Sequence, residues 1–97
     1  MEEIKIMILR LVKISKDGKS RTLLQYATPD VDSNNYKGFM LLDQWFDNHV
    51  VYNAIDTKYI GVPLKAQFVY ERTFKGQAKM VLKTISEENG NCLLAID

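Results

Sequence analysis

Basic and aromatic side chains surround two predicted hairpin turns, and these residue types suit the binding of single-stranded nucleic acid. Cations contact the phosphates of such a strand, while aromatic rings stack on its bases, each stack contributing about 1–3 kcal/mol. The sequence therefore predicts a nucleic-acid-binding surface made by the following ten residues: Lys13, Lys16, Lys19, Arg21, Tyr26, Tyr70, Arg72, Phe74, Lys75 and Lys79.

The second hairpin gives the more specific arrangement. Tyr70, Arg72 and Phe74 alternate along one strand and so share a face, which would place two rings beside a phosphate partner. Phe68 lies deeper in the same row and is predicted to belong to the core. The alternative is that all of these aromatic residues fill the core and that the lysines are solvated edges.

The distribution of charge supports a basic body with acidic ends. The chain has 13 Lys and Arg and 12 Asp and Glu. Five of the acidic residues lie near the termini, at Glu2, Glu3, Glu87, Glu88 and Asp97, whereas all 13 cations lie between Ile4 and Ser86. An ordinary mixed surface that favours solubility is the other interpretation.

Alternating apolar residues predict the strands that carry these side chains. The predicted strands are residues 4–15, 20–28, 39–46, 64–74 and 78–85. Asp17-Gly18 and Lys75-Gly76-Gln77 are predicted to form the turns of two hairpins. Residues 92–96 form either a short edge strand or, with Glu87 and Glu88, an acidic tail that recruits a protein partner.

The middle of the chain is less regular. Residues 31–38 and 57–63 are predicted loops. Residues 47–55 are predicted to form a short helix, capped by Asp47, or an irregular link, with an extended segment through Val50, Val51 and Tyr52 as the alternative. The third strand could instead open a helix, because Leu42, Phe46 and Val50 share a helical face. The 97 residues thus predict a single, mainly β domain: a five-stranded Greek-key barrel of the oligonucleotide-binding (OB) type, with protruding hairpins and one short helix. An SH3-like barrel is the competing arrangement.

No arrangement of residues indicates catalysis or a cofactor. His49 is the only histidine, and Asp43, Asp47 and Asp56 are spaced as they often are on solvated surfaces, so neither a metal site nor an acid–base pair is predicted. Cys92 is the only cysteine, which excludes a disulfide framework within the chain.

The apolar segments bear on location and on a further contact surface. None approaches the roughly 18–20 residues that cross a bilayer, and the acidic start is unlike a secretory signal. A cytoplasmic protein, without membrane contact, is therefore expected. Trp45 and Phe46 are interpreted as a core anchor, with a third stacking site or a protein-binding patch as alternatives.

Two stretches resemble the single-stranded DNA-binding proteins of filamentous phages, the gene V type, and their relatives in other mobile elements. One is Asp17-Gly18-Lys19 followed by the strand at residues 22–26. The other runs from Gly61 to Ile85 and contains the Lys75-Gly76 turn. About half of the chain is covered. Residues 39–60 are longer and more apolar than the corresponding family segment, and the acidic C-terminal end has no counterpart there.

The resemblance implies an OB-like protein that coats single-stranded DNA, as a homodimer or higher oligomer, during phage or mobile-element replication in a bacterial cytoplasm. It implies base stacking by Tyr26 and Phe74, with Arg21, Lys75 and Lys79 as phosphate partners. RNA is the alternative ligand. The alternative function is a small β-barrel module that binds proteins, or an accessory subunit, with Trp45 in its contact surface.

Overall fold

The computed structural model describes residues 2–29 and 37–96, which form six β-strands, one α-helix and one short 3-10 helix. The strands are β1 Glu2–Lys16, β2 Lys19–Pro29, β3 Phe39–Phe46, β4 Pro63–Arg72, β5 Ala78–Glu87 and β6 Cys92–Ala95; α1 is Val50–Ala54 and the 3-10 helix is Thr57–Tyr59. The mainly β class, both hairpins and the short helix are confirmed. Residues 31–36 of the first predicted loop lie outside the described residues.

All six strands of the described residues belong to one antiparallel sheet, in the order β3-β2-β1-β4-β5-β6. The first half of the long strand β1 pairs with β4, and its second half pairs with β2. In this order β3 lies at one end of the sheet and α1 connects it to β4, while β3 and β5 do not pair among the described residues. Two details of the prediction change: the sheet is not closed in the described residues, and β6 adds a sixth strand.

Bulges decide which side chains face the core. Paired residues of antiparallel strands lie on the same face, and Ile8 pairs with Tyr26 while Leu11 pairs with Leu24, on either side of a bulge between Ile8 and Arg10. The face that carries Ile6 and Ile8 therefore continues through Leu11, not through Val12. Regular alternation along β1 is interrupted at this point because the bulge adds one residue.

The core lies between the inner face of this curved sheet and α1. Its largest fully buried side chains are Ile6, Ile8, Leu24, Leu64, Leu82, Ile85, Val51 and Thr22. Val51 and Ile55 of the helix segment are buried together because residues four apart lie on one side of a helix.

Two hydrogen bonds attach the link before α1 to the first hairpin. The Thr22 hydroxyl donates to the Asn48 carbonyl at 2.7 Å, and His49 Nε2 lies 3.1 Å from the Ile14 carbonyl oxygen. The sequence predicted that Asp47 caps this helix, and that prediction is wrong. Instead, the side-chain oxygen of Asn48 accepts a bond from the Val50 amide at 3.0 Å, which supplies one of the bonds that the first turn of a helix lacks.

Candidate nucleic-acid interface

The first hairpin, between β1 and β2, ends in a tight turn that brings two lysines together. Asp17 and Gly18 both have positive φ, at 54° and 73°. Positive φ at both central residues is what a two-residue type I′ turn requires, and the twist of this turn matches that of the two strands. Lys16 and Lys19 are direct cross-strand partners and both are exposed. Like charges directly opposite each other destabilise a hairpin, and a polyanion would remove that repulsion.

The strand register places Lys16, Lys19 and Arg21 on the outer face of the first hairpin, together with Trp45 of β3. Trp45 pairs with Leu23, which is two residues from Arg21 on the same face. The Arg21 guanidinium lies over the Trp45 ring, 4.4 Å from its centroid, a cation–π distance. The indole is 45% exposed. A basic and aromatic surface is thus present on the outer face.

Lys13 belongs to a different surface. It pairs with Thr22, whose side chain is fully buried, and it therefore points to the inner side of the hairpin, where its ammonium lies 5.6 Å from the centroid of the Tyr52 ring on α1. The four cations predicted around the first turn are therefore divided, three on the outer face and one beside the helix.

The second hairpin, between β4 and β5, extends beyond the core. Phe68 is the last β4 residue that pairs with β1, and its side chain is 2% exposed, which confirms its assignment to the core. Tyr70 continues the same row but is 60% exposed, and Arg72 is exposed. Among the described residues, β1 does not pair with β4 beyond Phe68. Residues of β4 from Tyr70 onward therefore lie outside the core.

The tip of the second hairpin is held in a defined turn that exposes an aromatic ring. The Thr73 amide donates to the Gln77 carbonyl at 2.8 Å, and the Gly76 amide donates to the Thr73 carbonyl at 2.9 Å. Phe74 is fully exposed between these residues, next to the exposed Lys75. Tyr70, Arg72, Phe74 and Lys75 are therefore brought together at this end of the molecule.

Lys79 faces away from Tyr70 and Arg72. It pairs with Glu71 on the outer face, and it lines an open cleft between β3 and β5 together with Trp45 and Val81. We call this cleft the seam, because it separates the two strands that would have to pair to close the barrel. Lys79 therefore lies across the seam from Trp45, on the outer face of β5. It does not lie on the face that carries Tyr70 and Arg72.

Tyr26 does not lie on either surface. Its side chain is 7% exposed and its ring packs against that of Phe68, with centroids 6.2 Å apart. Burial raises the pKa of its phenol above the ordinary value of 10.0. A base cannot reach a ring in this position, so the stacking role that the resemblance implied for Tyr26 does not fit its position.

Trp45 and Tyr52 are aromatic residues that lie beside predicted cations but were not among the predicted binding residues. The preferred interpretation of Trp45 as a core anchor is wrong for that residue: Phe46 packs against the core, and Trp45, one position earlier, faces outward. The alternation of Leu42, Gln44 and Phe46 was the available signal, since residues between them must point to the opposite face. No signal marked Tyr52.

The residues considered for metal binding or catalysis do not converge. Within residues 2–29 and 37–96, no group of three or more His, Cys, Asp or Glu side chains could hold a metal ion. The Asp56 carboxylate accepts a hydrogen bond from the Lys58 amide at 3.4 Å, at the start of the 3-10 helix. Cys92 is exposed in β6. None of the described helices is both long and apolar enough to span a membrane.

The acidic C-terminal end is partly incorporated into the sheet. Leu94 of β6 is buried, and Ile85 is its partner on β5. Glu88 lies in the turn between these strands, where its carboxylate is 3.4 Å from the Lys5 ammonium. The edge strand that the sequence offered for this region is therefore the observed arrangement for Cys92–Ala95.

Comparison with known proteins adds no identification. No family model matches the sequence, and neither the curated proteins nor the solved structures include a match. The resemblance to gene V-type proteins therefore depends on the quoted residues alone.

Proposed function

We propose that this chain is a non-catalytic protein that binds single-stranded DNA. The observation that carries the proposal is the tip of the second hairpin, where the fully exposed Phe74 lies beside Lys75 and near Arg72. An exposed aromatic ring among cations is the combination that holds single strands without regard to sequence. The outer face of the first hairpin adds three more cations.

The position of these side chains in the fold supports the same function. In OB-type barrels, the ligand contacts the face formed by strands 2 and 3 and the loops between strands 1 and 2 and between strands 4 and 5. Here those positions hold Arg21 and Trp45, the Lys16–Lys19 pair, and Phe74 with Lys75, respectively. The gene V-type resemblance adds the expectation that the protein coats DNA of a phage or mobile element.

The test is a titration of dye-labelled oligo(dT) followed by fluorescence anisotropy, at 50 and 200 mM salt. Each phosphate contact to a single strand contributes about 0.7 to the salt slope, so five contacts would weaken binding by about 100-fold over this range. Arg72 and Lys75, with Lys16, Lys19 and Arg21, are the five exposed cations expected to make them.

The Phe74→Ala variant tests the stacking component. Loss of one stack should weaken binding by about 1–3 kcal/mol, or roughly 5- to 150-fold. Phe39→Ala is the matched control, because Phe39 is also an exposed phenylalanine but lies at the opposite end of β3 from Trp45. Absence of binding at low salt, or equal losses in both variants, would contradict the proposal. RNA of the same length and sequence serves as the competing ligand.

Protein binding is the second candidate function, and β3 favours it. This strand has a partner on only one side among the described residues, and it exposes Met40 and Leu41, of which Leu41 is 70% exposed. An apolar edge strand is a template for pairing with another chain, and a second copy would give the dimer that the gene V resemblance implies. The molar mass in solution of wild type and of Leu41→Lys, measured by light scattering after size exclusion, tests whether this edge forms the dimer contact.

A further inference from the structure

Trp45 and Arg21 form a pair on the outer face. This pair is separate from the aromatic and basic residues at the tip of the second hairpin. The guanidinium lies 4.4 Å from the ring centroid, and both residues are exposed. The pair adjoins Lys16 and Lys19 on the same face of the first hairpin, by strand register. Its environment is therefore cationic on the side of the hairpin turn.

Two depressions meet beside this pair. The first lies between the hairpin turn and the link before α1, where it is lined by Lys19, Arg21 and Asn48 among others. The second is the seam, where Trp45 lies among the cations of Lys79 and Lys83 and the carboxylates of Asp43, Asp47 and Glu71. Asn48 lines both depressions. A strand that lies in the two depressions would therefore pass the Trp45 ring, with Lys19 on one side of it and, on the other, Lys79 and Lys83 among three carboxylates.

We propose that Trp45 is a second base-stacking subsite, and that Arg21 occupies the ring in the free protein and moves to a phosphate when a base binds. This inference rests on the proposed single-strand binding. The guanidinium and a base compete for the same aromatic surface. A cation–π contact at an exposed site is weaker than a base–aromatic stack, so the base displaces the guanidinium.

When a base takes its place on the ring, the guanidinium exchanges the ring for a phosphate as its electrostatic partner. Arg21 is long enough to follow the backbone of the nucleotide whose base takes its place, and guanidinium groups bind phosphate through two parallel hydrogen bonds. Arg21 thus contributes to binding through the phosphate, while Trp45 contributes through the base. The two side chains have separable effects, which makes the subsite testable.

Trp45 is the only tryptophan among the 97 residues, so the tryptophan emission of the unmodified protein, excited at a wavelength that its five tyrosines do not absorb, reports on this subsite. Addition of oligo(dT) should quench its emission in proportion to the bound fraction measured by anisotropy of the labelled strand. Trp45→Ala should weaken binding by roughly 5- to 150-fold, as expected for one stack. Trp45→Phe should retain most of the affinity, because a ring remains.

Arg21→Ala distinguishes displacement from stacking on the guanidinium itself. Displacement predicts that the emission of Trp45 is still quenched by oligo(dT), while the salt slope falls by about 0.7, the value for one phosphate contact to a single strand. Lys58→Ala is the matched control: the Lys58 ammonium also lies over a ring, 5.1 Å from the centroid of Tyr59, but it lines neither depression. It should change neither quenching nor slope.

The two proposals fail in different ways. If the labelled strand binds but Trp45 emission is unchanged and Trp45→Ala binds like wild type, the subsite is refuted and single-strand binding stands. If Arg21→Ala abolishes quenching without loss of fold by circular dichroism, the displacement step is refuted. If no anisotropy change occurs at low salt, the proposed function itself fails.

Discussion

Tyr26 and Phe74 are aromatic residues to which the family resemblance gives the same role, and the structure predicts opposite consequences when each is replaced by alanine. Tyr26 is buried against Phe68, whereas Phe74 is fully exposed. Removal of a large buried aromatic side chain costs about 3–5 kcal/mol, from lost burial and from the cavity that remains. Removal of an exposed side chain changes stability by about 0.5 kcal/mol or less.

The expected effects are large compared with the stability of a domain of this size. A loss of 1 kcal/mol lowers Tm by about 4–8 °C in domains of 60–100 residues, so Tyr26→Ala should lower Tm by more than about 12 °C. Phe74→Ala should leave Tm within about 4 °C of wild type. Tyr26→Phe is the control, since it keeps the ring that contacts Phe68.

Urea unfolding followed by circular dichroism measures the free energy of unfolding of each variant, and oligo(dT) anisotropy measures binding of the folded fraction. We expect Tyr26→Ala to lose stability and Phe74→Ala to lose affinity. The reasoning would be refuted if Tyr26→Ala unfolded at the wild-type urea concentration and bound oligo(dT) more weakly, because Tyr26 would then be an accessible base platform.

Three further predictions follow from individual contacts. The folded-state pKa of Tyr26 is raised above 10.0, so the stabilisation that its neutral phenol provides is complete below about pH 10 and is lost as the pH rises through the folded-state value. Wild type should therefore lose stability above about pH 10, relative to Tyr26→Phe. Urea titrations of both proteins at about pH 8 and about pH 11 measure this difference. Thr22→Val removes the 2.7 Å bond to the Asn48 carbonyl and should cost about 1–3 kcal/mol in the same assay, because a partly buried acceptor is left unpaired. Lys5→Ala breaks the exposed pair with Glu88 and should change the free energy of unfolding by less than about 1 kcal/mol; a larger loss would show that this pair is not solvent-screened.

The strands and turns were predictable because their signals are local. Asp17-Gly18 specifies a tight hairpin, since Gly accepts positive φ at little cost, and the observed φ of 73° at Gly18 uses that freedom. The row from Leu64 to Phe68 alternates regularly, and its buried face follows from the two-residue period of a strand. These features depend on neighbours along the chain and not on the rest of the fold.

The bulges and the open seam were not predictable in the same way. A bulge changes the face of every later residue in a strand, and although Arg10 interrupts the apolar row of Ile4, Ile6 and Ile8, that interruption alone does not specify a bulge. Whether β3 pairs with β5 depends on how far the whole sheet curves. Lys79 could therefore be assigned to the second hairpin from the sequence, but not to the side of Trp45.

The division between scaffold and candidate site follows from where pairing ends. Along the β4 row, Phe68 is buried because β1 still pairs with β4 there, and Tyr70 is exposed because that pairing has stopped. Residues beyond that point contribute little to the core, so their identity is free to serve a ligand. The Lys16–Lys19 pair follows the same logic at the first hairpin: it disfavours the turn locally, yet the rest of β1 and β2 holds the hairpin in place. Local conflicts of this kind are expected where a surface has a function other than stability, which makes the two hairpin ends the first places to test for DNA binding.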